Sequence, residues 1–133
     1  MARILVIDDD DAVRLSLKLA LEDADHHVED AANGKEGMTR FRANPAELVI
    51  TDIFMPEKEG LETIDEIKRD CPQTKIIAIS GGGSMDPENY LLIAKRVGAD
   101  RSLFKPFDIQ LLLATVDDLL GARKELGGEP IGR

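Results

Sequence analysis

The sequence predicts an α/β fold, a parallel sheet covered by helices on both faces. Two observations carry this. Short apolar runs without helical spacing, Ile4-Leu5-Val6-Ile7, Leu48-Val49-Ile50 and Ile76-Ile77-Ala78-Ile79, read as strands buried on both sides. Between and after them lie stretches whose apolar residues recur at threes and fours, such as Leu61, Ile64 and Ile67, or Ile109, Leu112, Leu113, Val116, Leu119 and Leu120. Strands alternating with helices join in parallel through crossovers, which are right-handed almost without exception.

The elements follow in order. Arg3–Ile7 is a continuous apolar strand, followed at once by Asp8, Asp9, Asp10 and Asp11. Val13, Leu15, Leu17, Leu19, Ala20 and Leu21 carry a helix to about Ala24, with Asp10 or Asp11 as its N-cap. His27–Ala31 is a short second strand, and Asn33-Gly34 is turn chemistry. A helix over 34–42 turns Met38 and Phe41 inward and ends at Asn44-Pro45. The third strand covers 46–52, and a loop containing Pro56 leads to a helix over Gly60–Asp70. The fourth strand, 75–79, ends at Ser80. After Gly81-Gly82-Gly83-Ser84-Met85, Asp86 caps a helix with Pro87 at its first position, running to Val97 with Gly98 past its end. Arg101–Phe104 is the fifth strand, Lys105-Pro106 follows, and Phe107-Asp108 opens the last helix.

The 133 residues suit one domain, placed at 1–121, with 122–133 as a polar tail or truncated linker. Hydrophobic residues at 43% and charged residues at 32% are globular proportions. No apolar run is long enough to span a bilayer, and no signal-peptide pattern opens the chain. Cys71 is the only cysteine, so no internal disulfide forms and a reducing cytoplasm is the expected setting. In Arg69-Asp70-Cys71-Pro72 it reads as a packing residue at a helix end. A net charge of −9 argues against direct nucleic-acid binding by this domain.

Ligands of such sheets gather at the carboxyl ends of the strands. Asp8 and Asp9 stand after strand one, Asp52 after strand three, Ser80 after strand four and Lys105 after strand five; strand two contributes nothing. Asp is disfavoured within strands and mostly exposed, so Asp52 is expected where its strand leaves the sheet. At about 4 Å and an effective dielectric of about 20, each pair of like charges costs about 4 kcal/mol. The cluster therefore needs a cation, raised pKa values, or both. Oxygen ligands without His or Cys select a hard ion, and Mg²⁺ is the natural candidate. One carboxylate is then left to attack a phosphoryl group and form an acyl phosphate, with the metal and a lysine neutralising the equatorial oxygens. Lys105 and Ser80 carry suitable donors, an ammonium and a hydroxyl.

Four stretches, Ile4-Leu5-Val6-Ile7-Asp8-Asp9, Leu48-Val49-Ile50-Thr51-Asp52-Ile53-Phe54-Met55-Pro56, Ile79-Ser80-Gly81 and Phe104-Lys105-Pro106-Phe107, together resemble the signatures of the response-regulator receiver domain, in order, over about residues 3 to 120. The resemblance implies a flavodoxin-like, doubly wound five-stranded sheet of order 2-1-3-4-5 with five flanking helices. It implies Asp52 as phosphoacceptor, supplied by a histidine of a sensor histidine kinase or phosphotransfer protein. Asp8 and Asp9 would hold Mg²⁺ with Asp52 and the backbone carbonyl of Phe54. Ser80 would be the switch hydroxyl, Lys105 would pair with the phosphoryl oxygens, and Lys105-Pro106 would be a cis peptide. The function implied is a signalling switch, not a turnover enzyme. Phosphorylation would change a surface on helix 4, strand 5 and helix 5 that binds a downstream protein target or a missing output domain, with a phosphorylation-dependent homodimer as one form; no membrane is involved.

The sequence departs from the family pattern in four places. The Ser80 to Lys105 segment is a few residues longer, with three glycines at its start. Ser102 occupies the position of the usual switch aromatic, which Leu103 or Tyr90 would have to replace. Asp10 and Asp11 extend the acidic pair and read as a cap and a first-turn acid favoured by the helix dipole, not as further ligands. Phe54 is apolar where relatives are polar, and its bulk is expected to hinder the attacking water; with Gly82 it is assigned to the lifetime of the phosphoryl group.

Other features have plainer readings. His26 and His27, as neighbours on a strand, would face opposite sides and make poor joint ligands. Gly81-Gly82-Gly83 reads as a hinge, since the Lys-Ser/Thr of a P-loop is missing. Leu91, Leu92, Ile93 and Val97 exceed what one buried stripe needs, so part of the fourth helix is expected to meet a partner. Two competing classes fit less well. A phosphatase of the haloacid-dehalogenase type places its nucleophile after strand one in Asp-x-Asp-x-Thr, and Asp8-Asp9-Asp10-Asp11-Ala12 lacks the Thr. An FMN carrier needs a hydroxyl-rich phosphate loop where these aspartates stand.

Overall fold

A computed structural model describes residues 2–53, 60–81 and 87–126. Strands and helices alternate without exception: β1 (Arg3–Ile7), α1 (Asp11–Asp23), β2 (His27–Ala31), α2 (Gly34–Ala43), β3 (Leu48–Asp52), α3 (Gly60–Asp70), β4 (Lys75–Ser80), α4 (Pro87–Val97), β5 (Arg101–Phe104) and α5 (Ile109–Leu126). The sheet runs β2-β1-β3-β4-β5, and every neighbouring pair is parallel. Strand order reverses between β1 and β3, which leaves a crevice at their carboxyl ends.

The apolar runs are continuous because both faces of the sheet are covered, and successive side chains serve opposite layers. Leu5, Ile7, Val49, Ile76 and Ala78 face one layer, where α2 supplies Met38 and Phe41, α3 supplies Ile64 and Ile67, and α4 supplies Ala94. Ile4, Val6, Leu48, Ile50, Ile77 and Ile79 face the other, against Leu17 and Leu21 of α1 and Leu112, Val116 and Leu119 of α5.

Helix ends follow local chemistry. Asp10 caps α1, its Oδ1 accepting the Ala12 and Val13 N–H groups at 3.0 and 3.3 Å. Asn33, expected only as a turn residue, caps α2 by accepting the Glu36 N–H at 2.8 Å. Gly98 closes α4 at φ +116, a conformation that L side chains rarely adopt.

Three details differ from the sequence reading. His26 lies before β2 instead of within it, its Nδ1 accepting the Ala2 N–H at 3.1 Å, so the two histidines are not strand neighbours. The ladder of β3 begins at Leu48, although Glu47 already bonds through its backbone to Arg3 and Lys75. Helix α5 continues to Leu126, past the expected start of a tail at 122. Among the described residues, no helix is long and apolar enough to cross a membrane.

Candidate functional site

Asp8 leads out of β1, with its N–H donating to the Ala31 carbonyl at 3.1 Å. Asp52 ends the adjacent β3, where Ile7 pairs with Thr51. Lys105 follows β5 and donates its N–H to the Ser80 carbonyl at 2.8 Å, which ties it to the end of β4. Its side chain reaches back over β4, and Nζ arrives 2.9 Å from Asp52 Oδ2 and 3.3 Å from Asp8 Oδ1. Gly81 makes room for that stem: a Cβ there would lie 2.8 Å from Lys105 Cδ. The Lys105–Pro106 peptide is cis.

Asp8 is fully buried, and Asp52 and Ser80 are 6% and 3% exposed. Asp52 leaves the strand where expected but is not exposed there. Helix α3 begins hard against it: the Gly60 N–H donates to the Ile53 carbonyl at 2.8 Å, and a Cβ on Gly60 would lie 1.9 Å from the Asp52 carbonyl oxygen. Burial pushes the Asp8 carboxyl above its ordinary range, and the Asp52 charge adds to this; the Asp10 N–H and Lys105 oppose without cancelling it. Burial pulls the Lys105 ammonium down, but its bonds to Asp52 and Asp8 outweigh that and leave it raised.

One carboxylate oxygen from each of Asp8, Asp9 and Asp52 lies within 4.8 Å of the other two. The Lys105 ammonium faces this group. Asp8 Oδ2 stands 3.1 Å from Lys105 Nζ as an ion pair but, among the described residues, receives no hydrogen bond, whereas that ammonium bonds to Asp8 Oδ1 and Asp52 Oδ2. A buried carboxylate oxygen without a hydrogen bond, beside an exposed Asp9 and, among the described residues, with no His or Cys in the cluster, fits a hard divalent cation such as Mg²⁺. The further acids are otherwise engaged: Asp10 caps α1, and Asp11 Oδ1 accepts from Arg14 Nη2 at 2.6 Å.

Phe54 and Gly82 lie outside the described residues, as does the side chain of Tyr90. Ser102 pairs with Ala78 in the ladder and is half-buried, while Leu103 packs in the core with α1 and α5. Of the surplus apolar residues on α4, Leu92 is exposed, whereas Ile93 and Val97 are half-buried.

Two residues near the site were missed in the sequence, Arg14 and Asp30. Arg14 Nη1 donates to the Asp8 carbonyl at 2.7 Å and Nε to Asp30 Oδ2 at 2.9 Å, so β2 does contribute to this edge. The spacing of Asp11 and Arg14 signals an ordinary helix pair and nothing of the second and third bonds. Beside Lys105, a groove of about 650 Å³ opens between α1 and the start of α5, lined by Asp10, Val13, Leu17, Phe107 and Ile109.

This fold, with an acid cluster and a lysine at the switch point of the sheet, belongs to a defined class: the chain is a member of the response regulator receiver domain family, whose model matches residues 4–117. Members are signalling switches and not turnover enzymes on external substrates. The chain is 33% identical over 120 residues to the protein PilH of Pseudomonas aeruginosa, covering 90% of this chain and 98% of that one. It is 33% identical to the response regulator receiver protein CpdR of Brucella abortus, covering 90% of this chain and 98% of that one. It is 35% identical to the DNA-binding transcriptional regulator NtrC of Azospirillum brasilense, covering 91% of this chain but only 24% of that one. Among solved structures, a CheY-like receiver domain protein from Methanospirillum hungatei superposes with a TM-score of 0.87 at 30% identity, covering 94% of this chain and 98% of that one.

Proposed function

We propose that residues 1–121 form a phosphoacceptor switch in which Asp52 is the nucleophile. The observation that carries this reading is the Asp52 carboxylate, nearly buried at a strand exit, with the Lys105 ammonium 2.9 Å from Oδ2 and a second acid beside it. An Asp52 oxygen bonds to the phosphorus of a phosphohistidine on a sensor histidine kinase or phosphotransfer protein, and the P–N bond breaks as the histidine leaves. Asp8 and Asp9, with Asp52 and the Phe54 carbonyl, would hold Mg²⁺, which supplies charge neutralisation to the phosphoryl oxygens. Lys105 moves its hydrogen bond from Asp52 to a phosphoryl oxygen, and Ser80 donates its hydroxyl to another. The added charge of roughly −1.5 to −2 then biases a two-state surface on α4, β5 and α5. That surface would serve a downstream protein target, an output domain or a second phosphorylated copy. Phe54 and Gly82 set how readily water reaches the acyl phosphate.

Intact mass after incubation with acetyl phosphate and Mg²⁺ tests the reading. One phosphoryl adduct on the wild type and none on Asp52→Asn is the expected result. No adduct on either protein, from acetyl phosphate or a phosphorylated kinase, would leave a receiver fold acting as a plain binding module.

A further inference from the structure

We propose that Arg14 is a positioning residue for the cation-binding acids, setting the peptide between Asp8 and Asp9 and so the direction in which the Asp9 carboxylate faces. Strand β1 ends at Ile7, so the sheet ladder does not hold this peptide. The Asp8 N–H is tied to the Ala31 carbonyl, and Asp8 Oδ1 accepts the Asp10 N–H at 2.9 Å. The Asp8 carbonyl, which belongs to the 8–9 peptide, is taken by Arg14 Nη1 at 2.7 Å. Asp9 itself is exposed, so packing does not fix its carboxylate against Asp8 and Asp52.

Arg14 can do this because it is itself anchored. Its side chain is 17% exposed and turns back over its own loop. Nε bonds Asp30 Oδ2 on β2 and Nη2 bonds Asp11 Oδ1 on α1, so the guanidinium joins two elements while holding the carbonyl between them. Lys18 Nζ lies 3.5 Å from the other oxygen of Asp30, Oδ1, and is not among the groups bonded to Arg14. Three donors in one plane, each matched to an acceptor, need a fork; an ammonium cannot reproduce it. The same bonds occupy Asp11 and Asp30, which leaves Asp8, Asp9 and Asp52 as the acids offered to the cation. An ordinary surface ion pair would not include the backbone of a ligand residue.

The inference rests on the reading of these acids as a Mg²⁺ site, and calorimetric titration with Mg²⁺ and Mn²⁺ separates the two. Arg14→Ala is expected to weaken metal binding about 10–100-fold, the usual effect of losing a group that orients a ligand. Arg14→Lys loses less, and Lys18→Ala, which leaves the Asp8 carbonyl bond intact, binds as the wild type does. In acetyl phosphate reactions the Mg²⁺ concentration for half-maximal rate rises in step, and the rate recovers at saturating Mg²⁺. A merely structural role would lower the unfolding temperature in EDTA and leave the metal dissociation constant within about twofold of wild type, which overturns the proposal. Should Arg14→Ala fail to fold, Arg14→Lys and Asp30→Asn decide, and unchanged metal binding in both is the overturning result. A wild type that binds neither ion removes the Mg²⁺ reading and this inference with it; a wild type that binds beside unaffected variants removes this inference alone.

Discussion

Asp8 carries an electrostatic cost that can be read out as a pH dependence. Its folded carboxyl titrates above its ordinary value of 3.8, chiefly because of burial. Between 3.8 and that raised value the native state keeps a proton that the unfolded chain has lost. Across this window its contribution makes stability fall as pH rises, and above the window the loss is complete. Denaturant midpoints in EDTA should show this slope in the wild type minus Asp8→Asn difference. At pH 7 without metal, Asp8→Asn should be the more stable protein, because the neutral amide escapes both the burial cost and the repulsion from Asp52 while Lys105 keeps its bond to Asp52. Saturating Mg²⁺ should reverse the order, since only the wild type retains its full ligand set. Asp10 offers a plainer case: Asp10→Ala removes the α1 cap and should cost about 0.5–2 kcal/mol in urea unfolding.

At the scale of elements, the start of α3 packs closely against the end of β3. A methyl group on Gly60 would meet the Asp52 carbonyl oxygen at 1.9 Å, and backbone cannot yield as a flexible side chain can. Gly60→Ala should therefore destabilise by at least the roughly 1–3 kcal/mol of ordinary overpacking, and it should slow phosphorylation by shifting Asp52. Gly121 is the opposite case. It lies within α5, and nothing is within 4 Å of an added Cβ. Gly121→Ala should stabilise by about 0.5–1 kcal/mol, because alanine loses less backbone freedom in a helix. Thermal unfolding of the two variants should move in opposite directions.

Across the whole molecule, one sheet separates two apolar layers, and each strand serves both. Phe41 lies in one layer and Leu112 in the other, at 2% and 0% exposed. Phe41→Ala should cost about 3–5 kcal/mol and Leu112→Ala about 2–5 kcal/mol. Because the sheet couples the layers, each should lower a single cooperative transition, and the double variant should show near-additive losses across it. Two separate transitions by circular dichroism would mean that the layers unfold independently.

Local chemistry determined much of this protein. Apolar runs marked β1, β3 and β4 to within two residues, because a strand buried on both faces must be continuously apolar; the edge strands β2 and β5 are partly exposed and carry polar residues. Asp8, Asp9, Asp52, Ser80 and Lys105 stood out as strand exits because parallel connectivity sends every carboxyl end to one edge. Only the tertiary structure decided what depends on neighbours distant in sequence. It buried Asp52 beneath the start of α3, brought Lys105 across Gly81 to acids 53 and 97 positions away, and left Asp8 Oδ2 without a hydrogen bond. It also turned Arg14 from what reads as a helix-surface cation into a clamp on the Asp8 carbonyl. Helical spacing specifies which side chains share a face, but not which long, flexible one folds back to meet a carbonyl.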